Sequence, residues 1–237
     1  GGTVVDDLGA LSIEPDVIHG HHHLPVVEAL VRFPDAAAIF VCHDRTSHHD
    51  IPVATDRIGR YVAVDRNCDE RLGVEAGVPA TRRAVIHNAV DLRRHPPRGA
   101  LPSRPRRAAV LSNNARPGGF LDAIGAACEA RGIELDVFGS GVDSVLSDPG
   151  DVLGGYDVVF AKARSALEAM AAGCAVVLVD QLGLGEVVSA DRVAELRDWN
   201  FGGRCLQSPV DAGLVDRQLD RYDPVDARAV TDWVRRE

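Results

Sequence analysis

Apolar residues fall along this chain in short, nearly continuous runs separated by amphipathic stretches. The clearest runs are residues 158–160 (Val158, Val159, Phe160) and 175–179, which are rich in valine. Runs of this length with β-branched members are the pattern of strands buried on both faces. Between them, Ser165 and Glu168 form an S-x-x-E pair, which predicts a capping box at a helix start, and Gly173 predicts the stop of that helix. The order strand, tight loop, helix, strand is that of a parallel β-α-β unit. Its loop before the helix then lies at the carboxyl edge of the sheet, where ligands of open α/β folds bind and where a helix N-terminus favours anions.

The same alternation runs through the rest of the chain. Strands are predicted at residues 37–41, 61–64, 108–111 and 135–138, and a strand end at 14–18 feeds the run His-Gly-His-His-His. Residues 1–15 read as an element entering a sheet partway through a domain. Helices are predicted at about 25–32, with Pro25 at a start where its missing N–H costs nothing, and at about 119–131. A further helix starts near residues 67–72 and is broken by Gly77 and Pro79. Residues 186–190 read as a short helix, and the tail beyond them as helices and loops. Residues 94–107 are rich in Pro and Arg, so regular structure should fail there. Short apolar strands alternating with helices predict an α/β protein with mostly parallel sheets. The Pro/Arg stretch divides it into two Rossmann-like lobes: a short first lobe at residues 1–95, a linker at 96–107 and a second lobe at 108–237.

Composition narrows the function classes. The chain has 237 residues, 46% of them hydrophobic, which supports a packed core in one large or two small domains. A net charge of −9 argues against a general nucleic-acid binder. No apolar run approaches a membrane span and no signal peptide is visible. The five cysteines include no C-x-x-C pair, so a reducing cytoplasm and buried apolar thiols are expected rather than a disulfide framework.

Residues 168–180 (EAMAAGCAVVLVD), followed by GLGEVV, resemble the donor-binding core of the family 4 glycosyltransferases, which have the GT-B fold. Glu168, Ala169, Met170, Ala171, Gly173, Val176 and Val177 match that pattern. The family's first Glu is Phe160 here, its usual Pro is Ala175, and its G-F-G loop is Ala161, Lys162, Ala163. Asn88, Val90 and Asp91 match the segment that ends the family's first domain. A full first lobe of that fold has more strands than residues 1–95 supply, so the first lobe is expected to be minimal or to lack its front half in this chain. The resemblance implies transfer of a sugar from a nucleotide-diphosphate donor to a hydroxyl acceptor, with retention and without a metal or other cofactor. The acceptor would be a small molecule, a glycan or a lipid-linked group.

The resemblance also implies roles for residues. Glu168 would hold the donor's ribose hydroxyls, in competition with its place in a capping box. Lys162, Ala163, Arg164 and Ser165 would hold the diphosphate, with backbone N–H groups and two cations facing the leaving charge. Gly139 and Gly141 match a turn beside the nucleotide, where glycine lets backbone approach a ligand. Arg116 sits where the family places a cationic diphosphate contact, and Glu186 where it places a contact to the donor sugar. The plain alternatives are a solvated loop at 162–165, a simple turn at 139–141 and an acidic first helical turn at Glu186.

The histidines at 19, 21, 22, 23, 43, 48 and 49 form two clusters. His21 and His43 are the candidates for facing acceptor or sugar. H-x-H at a strand end is also how some metal-dependent hydrolases begin a metal site, but no H-x-x-E-H or H-E-x-x-H pattern supports it. Besides the transferase, two classes therefore stay open: a metal-dependent hydrolase using His19–His23, and a non-catalytic GT-B-like binding protein, consistent with Phe160 and the short first lobe.

Overall fold

A computed structural model describes residues 4–237 and divides the chain into two compact units, Gly1–His87 and Asn88–Glu237. In the first unit β1 (Val17–His21), β2 (Ala37–Cys42), β3 (Ile58–Ala63) and β4 (Arg83–Val85) form one sheet in the order β1-β2-β3-β4, every pair parallel. Helix α1 (His23–Arg32) crosses from β1 to β2, and α2 (Arg66–Glu70) follows β3 and widens into a π turn at Arg71–Glu75. Asp65 caps α2 by accepting from the Cys68 amide at 2.7 Å. Phe40, Ile58, Tyr61 and Leu72 are fully buried between the sheet and these helices. Of the stretch read as an element entering a sheet, the described part holds a single 3-10 turn at Leu8–Ala10; its first three residues lie outside the described residues.

The second unit contains β5 (Arg107–Leu111), α3 (Phe120–Ala130), β6 (Glu134–Phe138), α4 (Gly150–Leu153), β7 (Val158–Ala161), α5 (Ala163–Ala171), β8 (Ala175–Asp180), β9 (Gly183–Val187), α6 (Val193–Asp198), α7 (Ala212–Asp220) and α8 (Pro224–Val234). The sheet order is β6-β5-β7-β8-β9. The first four strands are parallel, and β9 returns antiparallel to β8. Every residue of β7 and β8 is buried, because α5 and α8 cover one face of the sheet while α3 and α7 cover the other. That double cover explains the unbroken apolar runs. The fold is α/β with two mostly parallel sheets, as the apolar pattern predicts.

Three expectations are corrected. The compact units divide between His87 and Asn88, not at the linker expected at residues 96–107. The Pro/Arg stretch is a strap on the second unit: the Arg98 amide donates to the Ala172 carbonyl at 2.9 Å, and its guanidinium pairs with Asp157 at 2.9 Å and reaches the Tyr156 carbonyl. Buried Asp157 also accepts from the Arg106 and Arg107 amides. Residues 183–187 form a strand rather than opening a helix at 186, because β8 takes β9 as its edge partner. Finally, S-x-x-E is not a capping box. Helix α5 starts at Ala163 with Lys162 as N-cap, so Ser165 is already inside the first turn and the Glu168 carboxylate accepts from Arg164 Nε at 2.9 Å.

The strap makes a stability prediction. Removing one partner of a buried ion pair strands the other charge, typically at a cost of about 3–5 kcal/mol. Arg98→Ala is therefore expected to lower the unfolding free energy of the second unit by an amount in the lower part of that range, and its denaturation midpoint with it, since two amides still solvate Asp157. A midpoint equal to that of the unaltered chain would show that residues 94–107 are a tether after all.

Candidate active site

The strand order of the second sheet reverses between β5 and β7, since the chain leaves β5 towards β6 and leaves β7 towards β8. A crevice outside the carboxyl ends of such strands is the ligand site of open α/β sheets. The sequence places Ser112, Asn113 and Asn114 after β5, Gly139 after β6, Lys162 after β7 and Gln181 after β8 at this edge. A cavity of about 220 Å³ opens there, lined among others by Ser112, Asn113, Gly139 and Ser165.

Helix α5 points its first turn at this edge. Lys162 makes no side-chain cap, and the Arg164 and Ser165 amides, second and third in the helix, precede the first amide with an intrahelical acceptor. The Ala163 amide is different. It donates to the Phe201 carbonyl at 2.9 Å, so it is spent inside the protein and leaves the set expected to hold a diphosphate. Ala163, Asn200 and Phe201, which meet at this point, all have φ near +50°. Left-handed backbone at non-glycine residues costs of order 1–3 kcal/mol each, and such strain collects at functional sites.

The two cations of the loop are each paired. Lys162 Nζ lies 3.1 Å from Asp180 Oδ2, and exposed Arg164 holds the Glu168 carboxylate. Glu168 is only 7% exposed and sits one turn below Ser165 on the same helical face. Arg164 occupies one oxygen of that carboxylate, Oε1. Phe160, which stands where the resembled family has its first Glu, is fully buried within β7, in register with Val110 and Val177.

The glycines serve a purpose different from the one expected of them. Gly139 has φ +148°, and a Cβ there would lie 2.0 Å from the Ser112 carbonyl oxygen; at Gly141 it would lie 2.1 Å from that of Ala115. Their close approach is to the protein's own β5 loop, not to open crevice. The loop is further docked by the Ser140 amide on Asn113 Oδ1 at 3.2 Å. Arg116 is exposed, its stem beside Gly141. Glu186 is not at the crevice: it lies on β9, held by Arg192 at 3.2 Å and Arg221 at 3.8 Å, in a separate cavity of about 260 Å³ with Trp199 and Gln218. Two residues to which the resemblance assigns no role, Asn114 and Asp180, complete the edge. Asp180, the charged end of an apolar strand, is 1% exposed and takes both Lys162 and Asn114.

In the first unit the seven clustered histidines also gather at the carboxyl ends of parallel strands, β1 and β2. His21 Nδ1 and His43 Nε2 are 2.6 Å apart with stacked rings, a separation at which one nitrogen carries a proton and the other accepts it. Buried Asp50 takes the His43 amide at 3.2 Å and faces His22 Nδ1 at 3.3 Å. Arg71 pins the intervening loop by donating to the Asp44 and Ser47 carbonyls. Partial burial, then the neighbouring imidazoles, lower the pKa of His21; for His43 burial again lowers it, with Asp50 opposing. No group of three His, Cys, Asp or Glu side chains among the described residues is arranged to hold a metal ion.

A folded-state pKa below the unfolded value means that the unfolded chain binds more protons between the two, so stability rises with pH across that window. The contribution of His21 and His43 is thus fully present above about pH 6.5, the ordinary histidine value, and is lost as pH falls below it. Thermal melts of the chain at pH 7.5 and pH 5.5 are expected to differ by less in His43→Asn than in the unaltered chain. An equal difference would remove the pair from the pH response.

No protein-family model and no curated protein sequence matches this chain. Solved structures do match. A glycosyltransferase from Rickettsia africae aligns with 93% of this chain and 71% of its own, at TM-score 0.63 and 12% identity. The Anabaena protein HepE, solved in complex with UDP and glucose, aligns over 93% of this chain and 73% of its own at TM-score 0.62 and 15% identity. Sucrose-phosphate synthase from Thermosynechococcus elongatus aligns over 93% of this chain and 68% of its own, again at TM-score 0.62 and 15% identity. At such identities the likeness is one of fold, and that fold is the GT-B-like, Rossmann-type arrangement expected from the sequence. No described helix is long and apolar enough to cross a membrane.

Proposed function

We propose that the chain is a glycosyltransferase that binds a nucleoside-diphosphate sugar on its second unit and passes the sugar to a hydroxyl acceptor. The observation that carries this reading is the crevice at the reversal of strand order, where the uncapped first turn of α5 and the Lys162 ammonium stand together. Amide donors and a fixed cation suit a diphosphate both in the bound donor and as the leaving group, whose developing charge they would stabilise without a metal. Arg164, released from Glu168 by the ligand, would add a second cation, and Glu168 would turn to the ribose. The Ser165 amide and hydroxyl would face the same anion. Neighbours of the same fold include one solved with UDP and glucose, which supports a nucleotide-sugar donor.

The first unit would serve the acceptor. In the neutral pair of His21 and His43, the imidazole that donates the shared proton has its outer ring nitrogen unprotonated, and that outer nitrogen would take the acceptor hydroxyl's proton; partial burial favours the neutral rings. Retention of anomeric configuration, a hexose as the sugar and relation to family 4 in particular belong to the same proposal. So does a cytoplasmic site of action.

The test is release of nucleoside diphosphate from UDP-, GDP-, ADP- and TDP-sugars in the presence of EDTA, with the product anomer read by NMR. Turnover of one donor with EDTA present supports the reading. Tight binding of a donor without transfer or hydrolysis would favour the non-catalytic binding protein, for which buried Phe160 in place of a carboxylate is the supporting observation.

A further inference from the structure

At the carboxyl edge of the second sheet lies a nearly inaccessible carboxylate, Asp180, whose partners come from three neighbouring strands. Asp180 ends β8; Lys162, which follows β7, reaches it with Nζ at 3.1 Å; Asn114, beyond β5, donates through Nδ2 at 3.2 and 3.3 Å to its two oxygens. The Gln181 amide also donates to Oδ1. The Lys162 side chain is 27% exposed, whereas that of Asp180 is 2% exposed. An ammonium has three donors, and one is used here.

We propose that Asp180 is a positioning residue for phosphate recognition: it fixes the Lys162 ammonium at the crevice and, through Asn114, ties the β5 loop to the β7 loop across the reversal of strand order. This rests on the reading of the crevice as a diphosphate site. A free lysine loses up to about 2 kcal/mol of rotamer freedom on being fixed, and a ligand that meets a fixed lysine does not bear that cost. The carboxylate also cancels the lysine's net charge. Recognition then depends on the direction of the remaining N–H groups more than on long-range attraction. Asparagine at 180 cannot reproduce the arrangement, because its single amide oxygen would have to serve Lys162, Asn114 and Gln181 while its NH₂ faced other donors.

The experiment is a double-mutant cycle on binding of inorganic pyrophosphate to the full chain, read by calorimetry. Asp180→Asn is expected to weaken binding about five- to twentyfold, and Lys162→Met at least as much. Adding Asp180→Asn to Lys162→Met should cost nothing further, which a general structural role would not give. Equal losses in both backgrounds, no loss in Asp180→Asn, or no pyrophosphate binding by the unaltered chain would overturn the proposal. Should Asp180→Asn not fold, Asn114→Ala replaces it in the same cycle with the same expected non-additivity. Pyrophosphate carries neither base nor sugar. Binding that follows this pattern in a chain that takes no sugar nucleotide would leave the positioning inference standing while the transferase reading fell.

Discussion

Glu168→Ala is expected to weaken nucleoside-diphosphate binding about ten- to a hundredfold and to leave the fold intact. The magnitude follows from losing one or two hydrogen bonds between a carboxylate and ribose hydroxyls, each worth about 1.5–3 kcal/mol gross, less the energy of parting Glu168 from Arg164. That i,i+4 pair contributes a few tenths of a kcal/mol to the helix, and alanine is a good helix former, so α5 should persist. Glu168→Gln keeps the shape and separates charge from packing. Calorimetric titration with the nucleotide that binds the unaltered chain is the measurement. An unchanged dissociation constant in folded Glu168→Ala would remove this residue from the site and leave it as the helical partner of Arg164.

The second large effect is on stability. Gly139→Ala would place a Cβ 2.0 Å from the Ser112 carbonyl oxygen, at a φ of +148° that side-chain-bearing residues rarely adopt. Neither atom is the end of a flexible side chain, so the backbone must move. Overpacking and forced backbone each cost about 1–3 kcal/mol, and together they are expected to lower the unfolding free energy of the second unit by several kcal/mol and to open the crevice at its β6 side. Chemical denaturation compares the variant with Gly132→Ala, a glycine of positive φ with open space around it. A loss no greater at 139 than at 132 would show that the close approach does not matter.

Much of the architecture was legible because the second sheet is covered on both faces. Residues 158–161 and 175–180 have no solvent face, so their apolar runs could be strands and little else. What misled was local chemistry that tertiary contacts override. Ser165 and Glu168 have capping-box spacing, but that spacing also occurs inside a helix, and here Arg164 takes the carboxylate. Residues 94–107 have the composition of a linker, yet Arg98 finds buried Asp157, 59 positions ahead of it. Glu186 follows a glycine turn that suits a helix start, yet the open edge of β8 recruits those residues as a strand.

The candidate site was legible in part for a similar reason. Lys162 and Ser165 lie within one β-α-β unit, so a short stretch of sequence brings them to the crevice. Asn114 lies 66 residues from Asp180, and only the strand order joins them. The one local signal was a charged residue ending an otherwise apolar buried run. The same holds for the histidines, where two sequence clusters become one because β1 and β2 are parallel neighbours.

The central claim is that the second unit's crevice binds a nucleoside diphosphate. Its most direct test is a calorimetric titration of the full chain with UDP, GDP, ADP and TDP in EDTA, alongside thermal melts. A ligand specific for the folded state at a hundredfold excess over its dissociation constant adds about 2.7 kcal/mol of stability. The account predicts saturable binding of one nucleotide with a matching rise in melting temperature, both diminished in Lys162→Met. Absence of binding by all four, or binding that Lys162→Met leaves unchanged, would contradict it.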